Sequence, residues 1–294
     1  MSSQFKGVFT ALITPFKNQK IDYVSLEKLV KQQLAGKIEG FVVNGTTAES
    51  PNLKDEDVAE LFKKIKSWTK DSVPLILGTG SNSTEKTVET TRQAGEMGAD
   101  AALVVVPYYN KPPQQGLYMH FKTVAEASKI PVILYNVPGR TITSLEPETV
   151  SRLAEFKNVI GIKEATGNME IETKIIEKTH KDFVMLSGDD GTYADFLKNK
   201  GHGVISVATH VIPEAFVNIT NFARKGQHAE AEVLQKKYKT LIDLLFIEAN
   251  PIPVKRAMQF MGIIESAELR LPLVEMSPEG SEKLKAEMKI LGLV

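Results

Sequence analysis

The sequence predicts an α/β fold, a (β/α)8 TIM barrel with a C-terminal helical appendage, and three observations predict it. Eight short apolar runs rich in β-branched residues alternate with segments of helical periodicity, which is the pattern of parallel strands joined by helices. Parallel strands linked by right-handed crossovers close most simply into a barrel. From about residue 225 the strand pattern stops and only helical periodicity remains, so residues 1–224 are expected to form the barrel and 225–294 the helical region. An open doubly wound sheet would carry a Gly-rich phosphate turn after its first strand, and Leu12-Ile13-Thr14-Pro15 is not one.

The elements follow in order. Phe5 to Ile13 is the first strand; Asp22 then caps a helix with Leu26, Leu29, Val30 and Leu34 on one face. Gly40 to Val43 is the second, broken by Asn44-Gly45-Thr46-Thr47 and followed by a helix with Val58, Leu61, Phe62 and Ile65 facing the core. Pro74 to Leu77, Ala101 to Val106, Val132 to Tyr135 and the run beginning at Val159 make strands three to six. Phe183 to Leu186 and Gly203 to Ser206 complete the eight. In the C-terminal region Ala231, Val233, Leu234, Tyr238, Leu241, Leu244 and Leu245 read as one helical face. Pro253 opens a further helix and Gly262 closes it, and a last helix ends near Leu291.

Composition narrows the function. The 36 basic and 36 acidic residues cancel, so no net field draws the chain to nucleic acid or to an anionic membrane, and a small-molecule partner is expected. There is no cysteine, which removes disulfides, thiolate catalysis and cysteine-ligated metals. The five histidines show no metal-ligand spacing and are expected to be surface or hydrogen-bonded structural residues rather than ligands. Met1 to Lys6 enter a strand pattern directly and no apolar run reaches the length of a membrane span, so a soluble, cytoplasmic protein is expected.

In a barrel the active site is built from the loops after the strands. The sixth strand ends in Ile162-Lys163-Glu164, which places Lys163 at the edge of a fully apolar run. An amine partly stripped of water there suits imine formation with a carbonyl, whereas a lysine ending a strand is more often a solvated surface residue. The other strand ends offer Thr46 and Thr47, Tyr109, Tyr135, Arg140 and Gly188. Hydroxyls can relay protons to a carbinolamine, and backbone amides can hold the carboxylate of a 2-oxo acid. Taken singly, each has a plain structural use: threonines cap helices, tyrosines pack their rings, and glycines serve turns.

Gly45-Thr46-Thr47-Ala48-Glu49-Ser50, Pro107-Tyr108-Tyr109-Asn110, Tyr135-Asn136-Val137-Pro138-x-Arg140-Thr141, Gly161-Ile162-Lys163-Glu164-Ala165, Ser187-Gly188-Asp189-Asp190 and Asn250-Pro251-Ile252-Pro253-Val254-Lys255 together closely resemble the dihydrodipicolinate synthase family, within the superfamily of pyruvate-dependent class I aldolases that includes N-acetylneuraminate lyase. The resemblance covers essentially the whole chain. It implies a lyase that joins pyruvate to L-aspartate-4-semialdehyde through a Schiff base on Lys163, giving 4-hydroxy-tetrahydrodipicolinate on the route to diaminopimelate and lysine. Tyr135 is implied as the proton shuttle, with Thr47 and Tyr109 completing a hydroxyl relay. Thr46 and Thr47 are implied to hold the pyruvate carboxylate, and Arg140 that of the aldehyde. Gly188 and Ile205 are implied to line the pocket. No metal or organic cofactor is implied, because the protonated imine is the electron sink. Tyr109 in this family enters the neighbouring subunit's site, which implies a dimer as the smallest complete unit and a homotetramer as the usual assembly.

Two departures from the family pattern stand out. Ala48 occupies a place where many members have glycine, which matters only if the turn needs a positive φ there. Members inhibited by lysine bind it near Ser50, Asn82 and Tyr108, with an acidic residue meeting its amine and a histidine nearby. At the matching places this chain has Lys86, Asp55 and Val58, and a cation opposing a cationic ligand implies weak or absent inhibition. Two other readings remain at this stage: another Schiff-base lyase acting on a sugar acid or a hydroxyproline-derived substrate, and a barrel that binds without catalysis.

Overall fold

A computed structural model describes residues 2–294. Its main strands are β1 (Gly7–Ala11), β2 (Gly40–Val43), β3 (Leu75–Gly78), β4 (Ala101–Val105), β5 (Val132–Asn136), β6 (Val159–Glu164), β7 (Val184–Ser187) and β8 (Gly203–Ser206). They pair in the order of a closed barrel, β1-β8-β7-β6-β5-β4-β3-β2. Each pairing whose register is defined is parallel. This is the (β/α)8 TIM barrel expected from the alternation of strands and helices. Strands β5 and β6 are buried along their whole length, as parallel strands covered on both faces must be, which is why their sequences read as unbroken runs rather than alternating ones.

The helices that alternate with the strands are α1 (Tyr23–Ala35), α2 (Asp55–Thr69), α3 (Thr84–Glu96), α4 (Gln114–Ala127), the single turn α5 (Pro138–Thr141), α6 (Pro147–Leu153), α7 (Met169–Lys178), α8 (Tyr193–Lys198) and α9 (Pro213–Arg224). Asp22 caps α1, its carboxylate accepting from the Val24 and Ser25 amides at 3.1 Å. Such a cap contributes about 1 kcal/mol. The C-terminal region continues with α10 (His228–Lys237), α11 (Lys239–Leu244), α12 (Ile252–Phe260) and α13 (Pro278–Ile290). Pro253 stands in the first turn of α12, and Gly262 follows its end with φ +63°.

The single apolar face expected over residues 231–245 is divided instead. The chain breaks at Tyr238 between α10 and α11, so Ala231, Leu241 and Leu245 are buried while Val233 is 69% exposed.

The chain packs as two compact units, one of the residues up to Gly7 with Pro74–Ile205, the other of Val8–Val73 with Ser206–Val294. The first unit holds Phe121, Phe183, Tyr193 and Phe196 at its core; the second holds Phe9, Phe41, Phe62 and Phe216. Each such side chain, fully buried, contributes roughly 1.5–3 kcal/mol.

Candidate active site

Within the first unit, β5 and β6 lie side by side with Tyr135 opposite Lys163 and Asn136 opposite Glu164. Successive residues of a strand face opposite sides, so this register puts the tyrosine and the lysine together on one face and the amide and the carboxylate together on the other. Lys163 is 7% exposed, and its Nζ lies 4.3 Å from the centroid of the Tyr135 ring. Among the described residues it makes no hydrogen bond and no ion pair. Gly188 follows β7 and packs against the lysine stem: a Cβ at this position would stand 2.5 Å from the Ala165 Cβ and 2.9 Å from the Lys163 Cε. Any larger residue would therefore have to push aside Ala165 and the lysine stem. Ile205 is buried in β8.

On the opposite face, buried Asn136 ties three segments together. Its Nδ2 donates to the Glu164 Oε2 at 2.8 Å, and its Oδ1 accepts from the Leu145 amide at 2.9 Å. The loop between them carries Arg140, exposed on α5, so the strand that bears Tyr135 also anchors both ends of the arginine loop. Glu164 Oε1 accepts from the Thr166 amide at 2.8 Å and fixes the turn after Lys163. Burial raises the Glu164 carboxyl above its ordinary range, against the lowering effect of its bonds to Asn136 and Thr166. Behind it Glu172 of α7 is fully buried with neither oxygen bonded among the described residues. Burial first, then the charges of Glu164 and Asp189, push Glu172 up to about 8.

Tyr109 stands 87% exposed in the loop after β4, on a left-handed backbone with φ +75°, beside half-exposed Tyr108. Asn110 donates to the Asn82 carbonyl at 2.9 Å, and Lys86 is exposed in the first turn of α3.

In the second unit, Thr46 and Thr47 belong to a 3-10 turn spanning Thr46–Ala48. Thr47 is buried, its Oγ1 accepting from the Asn250 Nδ2 at 2.9 Å. The left-handed residue of this turn is Glu49, with φ +57°, and not Ala48, so the methyl group at 48 meets no backbone restriction. Buried Glu49 is bonded to Lys255 and to the Arg270 amide, the latter at 2.9 Å. Ser50 is half-buried after the turn, Asp55 is exposed at the start of α2, and Val58 is half-buried.

Lys163, Tyr135, Gly188 and the Arg140 loop are thus joined by direct contacts or by Asn136. The parts given no role by sequence reasoning are Asn136, Glu164, Glu49, Asn250 and Lys255. All five lie inside the motifs that carry the family resemblance, and that was the available signal. Among the described residues no group of three or more His, Asp or Glu side chains could hold a metal ion, and no helix is long and apolar enough to cross a membrane.

A sequence model of the dihydrodipicolinate synthetase family matches residues 4–291. The chain belongs to this family. It is 62% identical over 290 residues to the 4-hydroxy-tetrahydrodipicolinate synthase of Bdellovibrio bacteriovorus, with 99% of each chain covered. Among solved structures, the dihydrodipicolinate synthase of Thermotoga maritima aligns with a TM-score of 0.97 at 41% identity, covering 98% of this chain and 99% of that one. The chloride-inhibited family member from Acinetobacter baumannii, solved in complex with pyruvate, aligns with a TM-score of 0.96 at 40% identity, covering 98% and 99%.

Proposed function

We propose that this family member condenses pyruvate with L-aspartate-4-semialdehyde to 4-hydroxy-tetrahydrodipicolinate, the first committed step towards diaminopimelate and lysine. The buried Lys163 amine, unbonded among the described residues and set over the Tyr135 ring, carries this reading. The amine adds to the C2 carbonyl of pyruvate, and the carbinolamine loses water to give the iminium. Loss of a C3 proton gives an enamine, whose C3 attacks the aldehyde carbon. The α-amino group of the joined product then displaces the Lys163 nitrogen and closes the ring, so that one water is released overall. The iminium is the electron sink, and the scheme calls for no metal or organic cofactor.

Tyr135 moves the protons of carbinolamine formation and breakdown, with Thr47 and Tyr109 as the rest of the relay. Thr46 and Thr47 hold the pyruvate carboxylate; Arg140 grips that of the aldehyde with two parallel hydrogen bonds. Gly188 and Ile205 line the pocket. The exposed Tyr109 fits a working unit in which it serves a second copy, and we extend this to a homotetramer in the cytoplasm.

Carbon-13 NMR of the purified chain with [3-13C]pyruvate tests the reading. The methyl signal should move to a ring methylene only when L-aspartate-4-semialdehyde is added. Turnover with a sugar aldehyde instead, or none with either, would contradict it.

A further inference from the structure

The turn bearing Thr46 and Thr47 is held by a buried ion pair that no step of the reaction uses. Glu49 joins the 3-10 turn Thr46–Ala48 to a second one, Ser50–Asn52, with a left-handed backbone of φ 57° and ψ 42°. A residue other than glycine keeps that conformation only where its surroundings hold it. Here they do. Glu49 Oε1 accepts from the Lys255 Nζ, and Glu49 Oε2 accepts from the Arg270 amide at 2.9 Å. Lys255 is fully buried, donates a second bond to the Glu268 carbonyl at 2.9 Å, and sits 4.2 Å from the Phe16 centroid. Five residues before it, Asn250 donates to the Thr47 hydroxyl. The stretch from Asn250 to Lys255 therefore grips the turn at two points, Thr47 and Glu49.

A buried ion pair is a poor source of stability, since apolar residues of the same volume commonly hold a fold as well or better. What bonds of fixed direction supply is orientation. We propose that Glu49 and Lys255 are positioning residues that aim Thr46 and Thr47 at the carboxylate of pyruvate. This rests on the reading of that turn as the carboxylate-binding element.

The test is the double variant Glu49→Gln with Lys255→Met, which removes both charges and leaves neither orphaned. Its folding is checked by circular dichroism and thermal melting. The KM for pyruvate should rise at least tenfold and kcat should fall by less than the pyruvate KM rises, since Thr47 also belongs to the proton relay, while the KM for the aldehyde changes less than threefold. An unchanged pyruvate KM in the folded variant would overturn the proposal, as would equal damage to kcat and both KM values. Glu49→Asp serves if the double variant fails to fold: drawing the carboxylate back by one methylene should raise the pyruvate KM at least threefold with the KM for the aldehyde preserved, and no change in the pyruvate KM would again overturn it. Borohydride trapping of pyruvate on the wild-type chain separates the two levels. Absence of a Lys163 adduct would sink the active-site reading itself, whereas a normal adduct with unaltered KM values in the variants would sink only the positioning role.

Discussion

Lys163 and Lys255 are both buried lysines lying over aromatic rings, 4.3 Å from the Tyr135 centroid and 4.2 Å from that of Phe16, and they differ in what else touches the nitrogen. Lys255 is closed on all sides, bonded to a carboxylate and a carbonyl. Burial pulls it down to about 8 against the opposing pull of Glu49 and Glu268. Lys163 has no such partners among the described residues and keeps a small exposed surface. Burial by itself therefore does not mark a reactive lysine. A nitrogen whose bonding capacity is already used holds structure together, and one whose capacity is unused has it available for a substrate.

The same substitution at both sites sharpens this contrast most. Lys163→Met should lower condensation at least about a thousandfold, since it removes the proposed covalent nucleophile, and it breaks no hydrogen bond or ion pair among the described residues. Its Tm should move by no more than about 3 °C, the equivalent of roughly 1 kcal/mol. Lys255→Met leaves the Glu49 charge buried and unpaired, which costs about 3–5 kcal/mol and should lower the Tm by about 9–15 °C. Melting curves and initial rates on both variants decide it; a large loss of Tm in the Lys163 variant would erase the distinction.

Arg140 comes next. Arg140→Ala should raise the KM for the aldehyde about 10- to 100-fold, the cost of losing hydrogen bonds to a charged group, while leaving pyruvate trapping on Lys163 unchanged. Loss of trapping together with aldehyde binding would mean that the arginine loop serves the first substrate as well.

Glu172 shows how far the rule of unused bonding capacity extends, because it is unbonded among the described residues and has no exposed surface at all. Its carboxyl is raised to about 8 in the folded chain. Between the ordinary carboxyl value of 4.5 and about 8 the folded state thus binds more protons than the unfolded state, and stability falls as pH rises through that window. Glu172→Gln lacks this loss. Its Tm advantage over the wild type should be larger at pH 8.5 than at pH 5, as differential scanning calorimetry can measure; an equal advantage at both would place the ionisation of Glu172 elsewhere.

A third lysine gives the smallest effect. Lys86 is exposed in the first turn of α3, where its charge would oppose a cationic ligand. Lysine at about 10 mM should lower the rate by less than roughly a fifth, and strong inhibition would show that Asp55 compensates.

The eight strands were legible because each is a short apolar run bounded by turn residues, and Lys163 because it interrupts such a run at its end. The positions of Tyr135 and Gly188 beside it followed from barrel geometry, which gathers strand ends. The Glu49–Lys255 pair was not legible, because its members stand 206 positions apart and only tertiary packing selects which carboxylate meets which amine. Asn136 was likewise visible in its motif but silent in function, since its work depends on Leu145 returning to β5 and on the register that sets Glu164 opposite. Val233 was misplaced because one periodicity spans two helices with different buried faces.

The most direct measurement is borohydride reduction of the chain in the presence of pyruvate, followed by peptide mass mapping. A reduced pyruvate adduct on Lys163 and on no other lysine, Lys255 included, is the predicted result. No adduct, or one on another lysine, would contradict the account at its centre.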